Sequence, residues 1–280
     1  MYRISPFTPL FFSPSTESCG VKSKYIQTFA QTDRILIEVI SEGELYAPEM
    51  SIRDLINDTS VSVTFGSWIM NNNETMYFHT LSSLQSSYYE IIINGLVSEV
   101  FKVTDDKSEL DGTTLIQYSM KDNKQRTDGV WWIDGMQYFF DFRVPGGFKD
   151  MGWGFGVTNE QFITSDEDIV ELYSHEYTTK TFTLGNSIGC PVWFADLLNR
   201  ALCCNYIYFN GVRYVRKEGS VPELNQPIEG VRSFVFSQLL QEVKMLDPIS
   251  ENRNQFCIRR ISDTKNRHSP DNGINKPLII

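Results

Sequence analysis

The sequence predicts a mainly β chain of the α+β class, an N-terminal β-sandwich followed by a second β-rich domain with a helix packed on it. Three observations carry this. Short β-branched and aromatic runs recur along the chain with polar turns between them. Asn94-Gly95 and Asn210-Gly211 each join two such runs, and Asn-Gly is the dipeptide that most readily takes positive φ at both positions of a hairpin turn. Only Pro191–Cys203 shows a convincing helical apolar spacing.

Taken in order, Arg34–Ile40 is a β-branched run apolar on both faces, suited to the inside of a sandwich. Ser60–Phe65 alternates Val61, Val63 and Phe65 with polar residues, the pattern of a half-buried strand. Tyr88–Ile93 and Leu96–Val103 flank Asn94-Gly95 as a hairpin. Thr104–Gly112 is polar and acidic and reads as a linker, so residues 1–104 form the expected sandwich domain and 113–248 the second domain. In that domain Thr113–Ser119, Gln137–Val144 and Thr179–Leu184 read as strands. Pro191 suits a first helical position because its missing N–H costs nothing there. Trp193, Leu197 and Ala201, with Phe194, Leu198 and Leu202, give the helix a broad apolar face, and Asp196 and Arg200 form an i,i+4 pair outside it. The hairpin 204–216 follows, with Phe209 opposite Val212, Ile207 opposite Tyr214, and Tyr208 opposite Arg213. Ser233–Lys244 begins as a strand and ends with helical spacing; the strand reading is preferred. Residues 249–280 read as a flexible basic C-terminal segment.

Charge and cysteine usage narrow the function classes. Net charge is −10, while residues 251–280 hold six Lys/Arg against three Asp/Glu, leaving an acidic body. Such a body argues against broad binding to nucleic-acid backbone, so no nucleic-acid partner is expected, although the basic tail, with Arg259 and Arg260, offers a contact for nucleic acid or an acidic partner. Five cysteines, an odd number without CxxC spacing, read as reduced thiols in a protein that folds in a cytoplasm. No signal peptide or membrane-spanning stretch is read.

Candidate chemistry is sparse. His79, His175 and His268 have no second histidine or cysteine at ligand spacing, and His79 reads as a hydrogen-bonded structural imidazole in a strand. Asp166-Glu167-Asp168 with Glu171 has oxygens for a hard cation but lacks the spacing of a calcium loop; charges flanking a helix or strand explain it as well. Val144–Val157 is glycine-rich but has neither Gly-Lys-Ser/Thr nor a strand–GxGxxG–helix context. Its aromatics, Trp153 and Phe155, together with Trp131 and Trp132, form either a contact platform for a sugar or neighbouring subunit, or a turn-rich loop covering the domain's own core. No nucleophile elbow, Cys–His signature or cofactor motif is present, so no cofactor is expected and the chain reads as non-enzymatic. Paired carboxylates for glycan hydrolysis have no local motif in their favour.

The fragments RTDGVWWIDGMQYFFDFRVPGGFKDMGWGFGVTNEQF and TLGNSIGCPVWFADLLNRALCCNYIYFNGVRYVRKEGSVPE, with the opening MYRISPFTPLFF and KYIQTFAQTDRILIEVI, resemble structural proteins encoded in tail gene clusters of phages and prophages of gut Bacteroidales. The resemblance covers roughly residues 1–248. More distantly, a sandwich beside a β-rich unit with one packed helix is similar to the distal tail proteins of long-tailed phages. It implies a virion structural protein, assembled in the host cytoplasm, that forms a homo-oligomeric ring and contacts other tail proteins. The alternative from a different class is a carbohydrate-binding or adhesin-type β-sandwich module.

Overall fold

The computed structural model describes residues 1–13, 25–43, 46–187, 189–218, 220, 223–225 and 234–243. Arg259, Arg260, His268, Cys19 and Cys257 lie outside the described residues. Met1–Glu242 forms one compact unit; of the other, Val243–Ile280, only Val243 is described.

The first part contributes β1 (Tyr2–Ile4), β2 (Phe12–Ser13), β3 (Gln27–Ala30), β4 (Ile35–Glu42), β5 (Met50–Asp54) and β6 (Thr59–Val63). It continues with β7 (Gly66–Ile69), β8 (Glu74–Leu81), β9 (Ser87–Ile93), β10 (Leu96–Ser98) and β11 (Phe101–Thr104). A short α1 (Lys107–Leu110) leads to β12 (Thr113–Ser119), β13 (Trp132–Ile133), β14 (Met136–Gln137), β15 (Phe140–Ile163) and β16 (Ile169–Leu184). Then come α2 (Val192–Ala201), β17 (Tyr206–Phe209), β18 (Val212–Arg216), β19 (Glu223–Asn225) and β20 (Val235–Glu242). The described residues are mainly β with two helices, as the chain's turn chemistry and strand-like runs predict.

The first strands build a sandwich. One sheet runs β1-β4-β8-β7; in the other, β9 is flanked by β5 on one edge and by β10 and β11 on the other. Ile35, Ile37 and Val39 of β4 pack with Phe29, Met50, Ile91, Ile93 and Phe101 of the facing sheet. The alternate residues Leu36 and Ile40 join two other clusters, so β4 is buried on both faces. That is why its sequence shows no polar alternation. Asn94 and Gly95 take φ of 46° and 83° in the expected hairpin. The run Leu96–Val103 is nevertheless two strands, because the Ser98 hydroxyl takes the Ile91 N–H at 2.9 Å and interrupts the ladder. Val61 also departs from expectation. It lies on the edge strand β6, which among the described residues pairs only with β5, and is exposed rather than half-buried.

The second part closes on itself. β15, β12, β17, β18, β20 and β16 hydrogen-bond in that order, and β16 also pairs with β15, completing a six-stranded ring. Ile116, Phe142 and Phe209 stand in register on one face and, with Phe182, Tyr214 and Leu240, fill the ring. Asn210 and Gly211 close the predicted hairpin with φ of 48° and 83°, and Tyr208 pairs with Arg213 and Phe209 with Val212. Tyr208, although paired with the charged Arg213, is buried beside Phe139. α2 adds Phe194, Leu197, Leu198 and Ala201 to the same core, with Phe194 edge-on to Phe142 at 5.2 Å. Pro191 is the residue before the helix, not its first turn, in an extended conformation with ψ of 154°. The Asp196–Arg200 pair forms at 2.6 Å.

The division expected between residues 1–104 and 113–248 is not a boundary of packing. Phe7 and Leu36 from the first part sit in the core of the second, and Phe7 meets Trp131 at 5.1 Å. On the opposite face of β15, Arg143 grips Asp33 through two bonds of 2.6 and 2.8 Å, and the Asp141 carboxylate accepts the Arg34 N–H at 2.9 Å. The expected linker is itself ordered: Asp106 accepts the Ser108 N–H at 2.8 Å and caps α1.

Candidate assembly surface

The four aromatics singled out from sequence do not form one platform. Trp131 is fully buried, its backbone N–H held by Asn123 at 2.9 Å, and it belongs to the core. Trp132 is half-buried and donates from its indole to the Met120 carbonyl at 3.1 Å. Burial beside Phe7 removes Trp131 from any contact surface, while Trp132 packs against the same core with part of its side chain exposed. Trp153 and Phe155 are 52% and 80% exposed, with ring centroids 6.3 Å apart.

Those two lie on an element whose length the sequence does not announce. β15 and β16 leave the ring as a paired hairpin arm running from Trp153↔Lys180 to Ile163↔Ile169. Beyond Thr179 neither strand pairs with any other among the described residues. At about 3.3 Å per residue the arm reaches some 35 Å. The glycine-rich stretch read as a possible turn-rich loop is therefore continuous strand. Successive residues point to opposite faces, so Gly152, Gly154 and Gly156 share one and Trp153, Phe155 and Val157 the other. The glycines are needed for close approach. A Cβ at Gly154 would stand 2.6 Å from Thr179 Oγ1, and one at Gly156 2.4 Å from the Tyr177 ring. Tyr177 thus lies across bare backbone, with Lys217 Nζ 3.7 Å from its ring centre.

The root of the arm is fixed by Lys180. Its ammonium meets Glu242 at 2.8 Å and the Tyr214 hydroxyl at 3.2 Å, and sits 4.2 Å from the Trp153 ring centre. Burial works against the lysine's charge, but the hydrogen bonds to Glu242 and Tyr214 outweigh it and raise its pKa.

Towards the tip, Phe162, Ile163, Ile169, Leu172 and Tyr173 are exposed on the two strands. Asp166-Glu167-Asp168 forms the connecting turn: the Thr164 N–H donates to the Asp168 carbonyl at 2.8 Å, and Glu167 takes φ of 64°. Among the described residues no group of three His, Cys, Asp or Glu is placed to hold a metal. His79 lies on β8 with Nδ1 3.1 Å from the Thr64 carbonyl, and burial lowers its pKa. His175 is exposed on the arm, 5.8 Å from Tyr173. Cys190 and Cys204 are buried free thiols, both raised to about 12 by burial, and Cys203 is exposed.

The buried carboxyls Glu38 and Asp141 are engaged by structural donors. Asp141 accepts from the Gln117 side chain and the Arg34 backbone, and Glu38 from the Val130 N–H. No helix among the described residues is long and apolar enough to cross a membrane.

The arm is what sequence reading missed. Its signal was period-2 alternation in Gly-Trp-Gly-Phe-Gly-Val, answered by Thr178, Lys180, Phe182 and Leu184, with an acidic turn between. No family model matches the sequence, and no curated protein matches it either.

Proposed function

We propose that this chain is a non-enzymatic structural protein of a phage tail or baseplate, a ring subunit that acts through oligomeric assembly. The arm carries the reading. An exposed hairpin keeps Trp153, Phe155, Val157, Ile163 and Ile169 52–80% exposed, and large apolar side chains gathered in water mark interaction sites. Such a surface fits burial against a neighbour, and a ring subunit needs two different complementary surfaces, because heterologous contacts close by rotation. The arm supplies one of them and projects it clear of the body.

For a glycan-binding role, Trp153 would have to offer a ring face to a sugar, and Lys180 already sits over one of its faces. That favours assembly over carbohydrate recognition.

The test is light scattering across a concentration series with the full chain, its Trp153→Ser/Phe155→Ser/Ile163→Ser variant, and mass spectrometry of purified particles. The expected result is concentration-dependent assembly of the wild type, loss of that assembly in a variant whose melting temperature is unchanged, and the protein in particles. A wild type that stays monomeric at every concentration and is missing from particles overturns the proposal.

A further inference from the structure

The arm is chemically one-sided. From Asp150 to Glu176 the sequence has seven Asp/Glu, including Asp166-Glu167-Asp168 at the tip, and not one Lys or Arg. Among the described residues, Asp166, Glu167, Asp168 and Glu171 are exposed and make no ion pair. An occupant of this surface must bring positive charge and apolar side chains together. In the body, Arg3, Arg53, Arg126, Arg143, Lys180 and Arg200 are paired with carboxylates, and the exposed Lys107, Lys121, Lys124 and Lys149 each have an aspartate within two residues in sequence. Residues 251–280 have both ingredients: six Lys/Arg against three Asp/Glu, with Phe256, Ile258 and Ile261 interspersed around Arg259 and Arg260. Among the described residues, each arm strand also keeps one edge free of ladder partners, from Trp153 to Ile163 and from Ile169 to Thr178. An extended segment can add to such an edge through main-chain hydrogen bonds.

We infer that the arm of one subunit docks the basic C-terminal segment, residues 251–280, of a second copy of this chain. The inference rests on the assembly reading and names its two surfaces. Every copy then carries one acidic donor and one basic acceptor, the arrangement a head-to-tail ring requires. Opposite charge sets partner and orientation, while the apolar residues of both elements supply the burial.

Two full-length variants test it. One neutralises the arm (Asp166→Asn, Glu167→Gln, Asp168→Asn, Glu171→Gln); the other neutralises the segment (Arg253→Gln, Arg259→Gln, Arg260→Gln, Lys265→Gln, Arg267→Gln). Sedimentation velocity is run on each alone and on an equimolar mixture, at about 50 mM and about 500 mM salt, across the range where exposed charges become screened. The expected result is wild-type assembly that weakens with salt, at least a tenfold loss of affinity in either variant alone, and heterodimers in the mixture, where one intact arm meets one intact segment. A variant that assembles like the wild type overturns the inference. So does a mixture no better associated than its parts, which assigns the contact to arm and segment of the same chain. Wild-type assembly that ignores salt and both charge variants, yet fails with Trp153→Ser/Phe155→Ser/Ile163→Ser, overturns this pairing and leaves the assembly reading standing. A wild type that never associates removes both.

Discussion

Replacing Glu38 with glutamine should flatten the pH dependence of folding stability. Glu38 is fully buried on β4, on the face turned away from the sandwich interior. One carboxyl oxygen accepts the Val130 N–H at 3.2 Å and the other has no hydrogen-bond partner. Burial is the main cause of a pKa raised from 4.5 to about 8, opposed by the Val130 N–H. The folded protein therefore holds this proton more tightly than the unfolded chain does. Its contribution to stability is fully present below 4.5 and is lost as pH rises through about 8. At about 1.4 kcal/mol per pH unit the whole interval is worth on the order of 5 kcal/mol, and the stretch from pH 6 to 8 roughly half of that. Asp141, raised from 3.8 to about 6 by burial, acts in the same direction but below that stretch. Glutamine keeps the shape and the acceptor for Val130 but carries no ionisable proton. The assay is urea unfolding of wild type and Glu38→Gln at pH 5, 6, 7 and 8. The variant should gain on the wild type steadily from pH 5 to 8. Parallel curves over that range would show that Glu38 is ionised, or solvated, in the folded state and would refute the reasoning.

Two further outcomes follow from the packing. Gly146 takes φ of 122°, and a Cβ there would lie 2.0 Å from the Thr183 carbonyl oxygen, a backbone atom that cannot swing aside. Gly146→Ala should cost more than about 3 kcal/mol in chemical denaturation. Gly147→Ala, whose Cβ would meet nothing closer than 3.8 Å, should cost under about 1 kcal/mol, and equal losses would remove the steric argument. Asp33→Asn leaves the Arg143 guanidinium in a seam where the two side chains are 1% and 12% exposed, at a cost of about 3 kcal/mol. Adding Arg143→Met should recover part of the loss, and a strictly additive double variant would show that the pair is not coupled.

How much was legible in the sequence differs from element to element for one reason, the range of the interaction involved. The two Asn-Gly hairpins, the both-faces burial of β4, the apolar face of α2 and the cross-strand order around Tyr208 and Arg213 were all readable. Each depends on φ preferences or periodicity within a few residues. Pro191 was misplaced by one position, a difference local signals do not resolve. The surface role of Trp131 and the domain boundary at 104–113 failed for a non-local reason: Phe7, more than a hundred residues away, packs against Trp131 and ties the parts into one core.

The arm lies between these cases. Its alternating glycines and aromatics are written in the chain. That Gly154 and Gly156 mark close strand pairing and not a loop depends on Thr179 and Tyr177 lying across them, and that register belongs to the folded hairpin. The sequence by itself determined the β class, the turns, the helix and the charge contrast between arm and C-terminal segment, because composition and short-range conformational preference need no partner. Tertiary structure alone decided which tryptophans are core and which face water. It also closed six strands into a ring and turned a glycine-rich stretch into a projecting arm, because burial and strand pairing are set by what the rest of the chain brings alongside.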